Sequence, residues 1–288
     1  MLPLFRADAF AWAAVAVFGL ALAAGSAQAG GPAVSAPNGK LEFDAGALSV
    51  PQSFVGRVAG TLTLPVGDAF GLQADFAAGT AGGPTYSAAL HLFTRDPESY
   101  LIGGTLGTIR TPGATVYAGG PEAELYFGRW TVEAWAGVAM AQPDSGPART
   151  GVFGMADLAF YPTDNLRLSG GLSLLDNFAA LHLGAEYLFD DSTLPLALTA
   201  DARLGRDGSV LATIGLRGYF GADHKSLIRR HREDDPWDRG TSLFTAVGQQ
   251  SAASGSQSGG SGAGNGGTND EPCPSIDLIR IDGVCVPY

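Results

Sequence analysis

The residues that could do chemistry are ionisable side chains that recur at alternate positions between residues 40 and 221. Side chains alternate across a β-strand, so this spacing places them on one face of a sheet. They comprise nine carboxylates, five arginines and two histidines: Glu42, Asp44, Arg57, Asp75, His91, Arg95, Glu122, Glu124, Glu133, Asp157, Arg167, His182, Glu186, Asp201, Arg203 and Arg217. Two kinds of chemistry remain open for such a face. It can form a salt-bridged interior, or it can line a water-filled passage whose charges sort solutes.

An acidic sector is predicted around the turn Gly128-Arg129. A two-residue turn sets Glu124 opposite Glu133, with Glu122 one pair further along and Asp157 on the next strand. Like charges directly opposite each other are destabilising unless they are paired. Either arginines reach this sector across the interior, or the sector attracts cations.

Catalysis and metal binding find less support. His182, Glu186 and Asp201 would share a face on adjacent strands, which is compatible with a hydrolase. However, the G-x-S-x-G pattern of a nucleophile elbow is absent, so a hydrogen-bonded wall histidine is the favoured interpretation. Four His and two Cys leave little material for a metal cage. We therefore predict no enzyme activity, no metal site and no cofactor.

The elements that must position these side chains are strands. In segment 196–204 the even-numbered residues are Leu or Ala, whereas the odd-numbered ones include Thr199, Asp201 and Arg203. Such alternation predicts a strand with one apolar face. Twelve segments of this kind occur, at about 40–48, 55–65, 70–78, 85–94, 100–110, 115–127, 130–141, 151–161, 165–175, 178–189, 195–204 and 210–220.

This pattern predicts an all-β fold, a transmembrane antiparallel β-barrel of about twelve strands spanning 40–221. A soluble sandwich can show the same alternation, but charges are nearly absent from the apolar faces and few strands are continuously apolar. An even strand number places both ends of the barrel in the periplasm. The first and last strands should pair, with Arg217 beside Glu42 and Asp44. Short turns at 66–68, 95–98, 128–129, 162–165 and 190–193 are assigned to the periplasmic end, and the longer 77–84 and 142–150 to the outer surface.

The first segment is predicted to be a signal peptide, residues 1–29. Arg6 precedes an apolar run over 9–24, and the small residues Ala27 and Ala29 form an A-x-A cleavage signature. The run is shorter than the roughly 20 residues that a membrane-spanning helix needs. Cleavage after Ala29 leaves a leader, 30–39, outside the cytoplasm.

Aromatic residues favour the predicted strand ends, as in an interfacial girdle. They are Tyr86, Tyr100, Tyr117, Phe127, Trp130, Phe160, Tyr161, Tyr187, Phe189, Tyr219 and Phe220. Together with the signal peptide, the Gly-rich alternating strands and a last strand ending Gly218-Tyr219-Phe220, the chain resembles the small Gram-negative outer-membrane β-barrels of the porin-like family. The resemblance implies an outer-membrane location, contact with outer-membrane lipid, and an assembly signal at Tyr219 and Phe220 that the barrel-assembly machinery reads.

It also implies a channel for passive passage of small solutes. Because nine interior carboxylates face five arginines, the channel should prefer cations. The alternatives are a non-conducting structural or tethering barrel and, third, a barrel-embedded hydrolase. The net charge of −11 and the pI near 4.7 argue against a nucleic-acid partner.

The tail after Phe220 has a different composition. Residues 222–248 are interpreted as a charged periplasmic segment, in which Arg229, Arg230 and Arg232 either bind peptidoglycan or lipid phosphates or lie on a solvated helix. Residues 249–270 are a Gly/Ser-rich linker. Residues 271–288 are predicted to be a module closed by a Cys273–Cys285 disulfide, with a turn at 282–283, that contacts a periplasmic protein or the cell wall. The alternative is a disordered tail in which the same two cysteines pair.

Overall fold

The computed structural model describes residues 31–50, 52–176, 178–189, 195–221, 224–258, 278–281 and 284–287. Side chains are described as far as residue 251. The predicted signal peptide, including Ala27 and Ala29, and Cys273 of the predicted disulfide lie outside these residues, so both stay predictions.

Twelve antiparallel strands form a closed barrel in which each strand pairs with its neighbours in sequence. The predicted fold class and strand number are confirmed, and the observed strands are longer than the predicted segments by a few residues at most ends. They are β1 (Asn38–Ser49), β2 (Gln52–Val66), β3 (Phe70–Ala81), β4 (Pro84–Asp96), β5 (Tyr100–Thr111), β6 (Ala114–Phe127), β7 (Trp130–Pro143), β8 (Arg149–Thr163), β9 (Leu166–Leu175), β10 (Phe178–Leu188), β11 (Leu196–Gly205) and β12 (Val210–Phe220).

The barrel closes between β1 and β12, where Gly39 pairs with Phe220 and Glu42 with Arg217. We call the end at which β1 begins and β12 ends the first rim. It also carries the connections 67–69, 97–99, 128–129, 164–165 and 189–195. The second rim carries the connections 50–51, 82–83, 112–113, 144–148, 176–177 and 206–209. The long loop predicted at 77–84 is mostly strand, because β3 continues to Ala81 through pairing with β2.

The outer surface of the barrel is apolar over its whole circumference. Leu106, Phe54 and Ile214 are 70%, 64% and 59% exposed. A closed sheet has no unpaired edge, and an apolar exterior of this extent requires lipid rather than water. The chain is therefore a transmembrane β-barrel.

The aromatic girdle is present in part. Tyr86, Tyr117, Phe127, Trp130 and Phe220 are exposed on the outer surface, and Trp130 stacks on Phe160 with ring centroids 4.4 Å apart. The girdle interpretation is wrong for Tyr161 and Tyr219, which are buried inside the barrel. Strand phase decides this, since neighbouring residues at a strand end point to opposite faces.

The described residues after β12 include two helices, α1 (Leu227–Glu233) and α2 (Arg239–Ser258). The interpretation of 222–248 as a separate periplasmic segment requires correction, because residues 225–250 bond to the inner wall of the barrel. The predicted linker is also shorter at its start, since α2 runs to Ser258. We call residues 224–251 the plug. Among the described residues, none of the helices has the length and apolar character needed to span a bilayer.

The leader also packs on the barrel instead of extending freely. Val34 is buried against Phe93, Leu101 and Tyr126, and the Ala33 amide donates to the Asp68 carbonyl at 2.9 Å. Residues 31–37 thus line part of the first rim.

Residues from Gln257 onward form a separate unit. Within it, β13 (Leu278–Ile281) pairs antiparallel with β14 (Val284–Pro287). Ile281 pairs with Val284, a register that leaves two residues for the connection, as expected for the turn predicted at 282–283.

Candidate functional site: the lumen and its plug

The inner wall carries every charged residue that the alternation assigned to it. Of the sixteen ionisable residues assigned to the interior, fourteen are buried. The other two, Asp201 and Arg217, are partly buried. Most of them fall into three clusters, which lie at the barrel seam, in the acidic sector and around His91.

The seam cluster joins β1, β2, β10 and β12. Arg57 Nε lies 2.6 Å from Asp44 Oδ2, and Arg57 Nη2 lies 3.0 Å from Glu42 Oε1. Arg217 Nε lies 2.9 Å from Glu42 Oε2 and its Nη1 2.6 Å from Glu186 Oε2. Glu42 therefore accepts from two arginines on different neighbouring strands, in the place where the sequence predicts an ion pair across the seam.

The acidic sector has the expected register. Glu124 pairs with Glu133, and Glu133 with Asp157. Counter-charges come from the next two strands: Arg167 Nη2 lies 2.8 Å from Glu133 Oε2, and His182 Nδ1 lies 2.6 Å from Asp157 Oδ1. The like-charge rows are stable because each carboxylate has its own partner.

Glu124 is bound by the plug. The Trp237 amide donates to Glu124 Oε1 at 3.0 Å. The Trp237 ring lies under the guanidinium of Arg167, with Cζ 4.3 Å from the ring centroid. A wall carboxylate and a wall arginine thus hold the same plug residue, the first by its backbone and the second by its ring.

The third cluster surrounds His91 on β4. His91 Nε2 lies 2.7 Å from Asp75 Oδ2, and Nδ1 lies 3.2 Å from Glu122 Oε1. Both carboxylates are shared with the plug: Arg239 Nε lies 3.1 Å from Glu122 Oε2, and the Gly240 amide donates to Asp75 Oδ2 at 3.1 Å. The sequence offered no signal for this sharing, because the plug and wall residues are more than 100 positions apart.

Small residues allow α2 to approach the wall. A Cβ atom on Gly240 would lie 2.7 Å from Asp75 Cβ, and one on Gly248 would lie 2.8 Å from Ala81 Cβ. Real Cβ atoms do not approach so closely, so a side chain at either position would displace the helix.

Toward the second rim the inner wall becomes apolar. Val55, Ile109, Trp135, Phe153 and Leu211 are buried on the inner face. They form one cluster with Leu243, Phe244, Ala246 and Val247 of α2. The sequence analysis did not assign these residues to the interior, because it placed the polar face of each strand inside and the apolar face outside.

The first rim holds α1 by polar contacts. Lys40, also missed, lies 2.9 Å from Asp235. The Leu227 amide donates to Asn165 Oδ1 at 3.1 Å, and Arg232 Nη2 donates to the Trp130 carbonyl at 3.0 Å. The sequence left these three arginines either to bind the cell wall or lipid or to lie on a solvated helix. Arg230 and Arg232 face the barrel instead, and of the three only Arg229 is well exposed.

His231 bridges two wall tyrosines. Its Nδ1 lies 2.8 Å from Tyr161 Oη and its Nε2 3.2 Å from Tyr219 Oη. Burial and the nearby positive charges of Arg167, Lys40 and Arg217 hold the pKa of His231 well below its ordinary value. His231 is therefore neutral in the docked plug.

The space left between plug and wall is small. The cavity has a volume of about 70 Å³, enough for a few water molecules. Plug residues such as Pro236, Trp237 and Thr241 line it together with wall residues of β1, β2 and β6–β12. The plug thus occupies the part of the lumen that these residues line.

Catalytic and metal chemistry gain no support from the geometry. Both ring nitrogens of His182 are engaged by carboxylates, Asp157 at 2.6 Å and Asp201 at 2.9 Å, so neither is placed to take a proton from a nucleophile. Within the described part of the chain, no group of three or more His, Cys, Asp or Glu could hold a metal ion.

Two predicted arginines and one predicted pair have other surroundings. Arg203 lies beside Ser173 Oγ. The guanidinium of Arg95 stands 4.9 Å from the Phe93 ring centroid. At the end of β12, Phe220 points outward and Tyr219 points inward, where its hydroxyl donates to Glu186. The assembly role of Tyr219 and Phe220 stays a prediction.

No family model matches the chain, and no curated protein is similar to it in sequence. Among solved structures it is similar to the KdgM porin (TM-score 0.46, 7% identity, covering 63% of this chain and 99% of that one). It is also similar to the outer-membrane protein Omp33 of Acinetobacter baumannii (0.42, 11%, 64% and 99%). A third similar structure is the COG4313 outer-membrane channel of Pseudomonas putida F1 (0.47, 11%, 66% and 96%). The closed barrel of twelve strands that the sequence predicts is shown by the pairing of its own strands.

Proposed function

We propose that the protein is a porin-like outer-membrane channel that is closed by its own plug and passes small cations when the plug leaves the lumen. The observation that carries this proposal is the match between plug and wall. Trp237, Arg239 and Gly240 each bond to a wall carboxylate, so the plug binds polar groups that would otherwise face water.

The width of the barrel supports a passage through the lumen once the plug has left it. A helix with its side chains is about 10–12 Å across, and the barrel encloses one. Removing it leaves a lumen wide enough for hydrated ions. The wall carries more carboxylates than cationic side chains, even when Lys40 is counted, and acidic linings favour cations.

The first test is conductance in planar bilayers. We expect the full-length protein to be closed nearly all the time and Gly248→Leu to be open, because the new side chain collides with Ala81. The matched control is Gly104→Leu, which adds the same side chain on the outer surface, where a Cβ meets no atom within 4 Å. A shift in gel mobility on heating shows that both barrels are folded.

The second test is ion selectivity in the opened variant. Replacing Glu122, Glu124 and Glu133 by Gln in the Gly248→Leu background should reduce the preference for cations. Absence of conductance in a folded Gly248→Leu barrel, or a preference for anions, would contradict the channel proposal.

The second candidate is a non-conducting barrel that tethers its C-terminal module. The apolar contacts of Leu243, Phe244 and Val247 favour it, since they hold α2 more firmly than polar contacts alone would. Under this function no condition that leaves the barrel folded produces conductance.

A further inference from the structure

A groove lies at the first rim. It has a volume of about 520 Å³, within the range of roughly 300–1,000 Å³ that is usual for ligand sites. Leader residues 31, 32 and 35 form one side, the connections 97–98 and 128 form another, and α1 forms the third. We call it the rim groove. None of the described residues that line it belongs to a strand, so it opens at the mouth of the barrel.

Part of the rim groove is apolar and open. Pro32, Pro97 and Ile228 contribute apolar atoms to it. A Cβ atom on Gly31 or on Gly128 would meet no atom within 4 Å. A ligand in the groove can therefore lie against backbone as well as against side chains.

Arg232 of α1 brings an unpaired positive charge to the rim groove. Its Nη2 donates to two neutral oxygens, the Trp130 carbonyl at 3.0 Å and Thr131 Oγ1 at 3.2 Å. Its buried Nε has no hydrogen-bond partner, and no carboxylate of the described residues forms an ion pair with the guanidinium. A guanidinium has five N–H donors, so Arg232 retains donors for an anionic group.

Glu98, in the connection between β4 and β5, brings an unpaired negative charge. The residue is exposed, and its backbone amide donates to Asp96 Oδ1 at 3.1 Å. Within the described part of the chain its carboxylate has no hydrogen-bond or ion-pair partner. The other two charged residues of the groove pair with each other, since Arg229 Nε lies 2.7 Å from Glu233 Oε1. By these contacts the groove presents one cation and one carboxylate to a ligand.

These two charges select the class of ligand. A purely anionic molecule would meet a like charge at Glu98, and a purely cationic one at Arg232. We propose that the rim groove binds a short zwitterionic peptide, with a carboxylate of the peptide at Arg232 and an ammonium group at Glu98. The headgroup of a zwitterionic lipid has the same charges, but no strand residue lines the groove on the side of the bilayer.

The sequence predicts that the first rim faces the periplasm. The stem peptides of peptidoglycan, which lie there, carry carboxylates and amino groups on one short chain. The proposal thus gives the cell-wall contact considered for the tail a place at the mouth of the barrel. It does not depend on conduction, because the groove is present while the plug is docked.

Isothermal titration calorimetry with the purified full-length protein in detergent micelles tests the proposal. The probe is the stem tetrapeptide L-alanyl-γ-D-glutamyl-meso-diaminopimelyl-D-alanine, for which we expect saturable binding. Glu98→Gln should weaken the affinity about two- to fivefold, the effect of an exposed charge pair. Asp68→Asn is the matched control and should leave the affinity unchanged, because Asp68 is exposed in a connection of the same rim but does not line the groove.

Blocking the amino groups of the peptide separates a direct contact with Glu98 from an indirect effect. Acetylation of both amino groups should weaken binding to the wild type and should cause no further loss in Glu98→Gln. Arg232→Met should weaken binding about tenfold or more, as expected for a hydrogen bond to a charged group. An equal loss on acetylation in the wild type and in Glu98→Gln would show that the ammonium group does not lie at Glu98, and the proposal would then be wrong.

A bulky side chain in the groove tests the location. Gly31→Trp should abolish binding, whereas Gly104→Trp should not, because Gly104 lies on the outer surface in equally open surroundings. A shift in gel mobility on heating shows that each variant is folded. Absence of saturable binding to the folded wild type, or wild-type affinity in Gly31→Trp, overturns the proposal. It is also overturned if glycerophosphoethanolamine binds in the groove and the peptide does not, since the ligand is then a lipid headgroup.

Discussion

Replacement of Arg239 by Met tests whether buried charge pairs hold the plug in the lumen. Arg239 is 1% exposed, with Nε 3.1 Å from Glu122 Oε2 and Nη2 3.4 Å from the Ala134 carbonyl. Methionine retains the unbranched stem and removes the charge. Glu122 then loses one partner but keeps His91.

The loss of docking free energy in Arg239→Met follows from the burial of the Arg239–Glu122 ion pair. Breaking a buried ion pair costs about 3–5 kcal/mol, and the remaining contact with His91 places Glu122 near the lower end. About 3 kcal/mol corresponds to a roughly 150-fold weaker docking equilibrium, since 1.4 kcal/mol is tenfold.

The matched control is Arg229→Met, on α1. The Arg229 side chain is 59% exposed and pairs with Glu233 four residues later on the same helix. Pairs of this kind contribute about 0.3–0.5 kcal/mol, so docking should change about twofold at most.

The measurement is native-state hydrogen exchange of peptides covering residues 240–250, which reports the opening free energy of α2. Protection should fall about two orders of magnitude in Arg239→Met and stay nearly constant in Arg229→Met. Adding Glu122→Gln to Arg239→Met should cost less than Glu122→Gln alone, as for coupled residues. Equal protection in the two arginine variants would refute the argument that charge pairing holds the plug.

Three further outcomes are expected. Arg217→Met should lower the temperature at which the barrel loses its heat-modifiable gel form, because the buried carboxylates Glu42 and Glu186 each lose a partner. A transition at the wild-type temperature in this variant would rule out a stabilising seam pair. The hydrogen-exchange protection of the plug should weaken as the pH falls from about 7 to about 5. His231 in the undocked plug takes up a proton near pH 6.5, whereas the pKa of His231 in the docked plug is well below its ordinary value, so the docked residue stays neutral. This loss of protection at low pH should be absent in His231→Gln. The same dependence of protection on pH in the variant and the wild type would contradict the prediction. Mass spectrometry of the purified protein should find a mature chain that begins at Gly30, and a longer chain would disprove cleavage after Ala29.

Strand alternation predicted the barrel because its cause is local. A residue's parity along a strand decides which face it occupies, so Glu42, Arg57 and Arg217 could be assigned to one interior from the sequence alone. Register across a tight turn is equally local, which is why the Glu124–Glu133 pair was predictable. Closure followed from an even number of strands and the need to leave no edge in lipid.

The sequence by itself thus determined the strands, the apolar exterior and the charged interior. What fills that interior was decided only by the tertiary structure. The plug carries five cationic and four anionic side chains, a composition that suits water as well as a polar lumen. Its partners, among them Glu122 for Arg239 and Asp75 for Gly240, are set by the enclosed shape of the barrel. Contacts between groups so far apart in the chain form only when the closed wall holds its charges at the helix surface, and no local pattern encodes that distance.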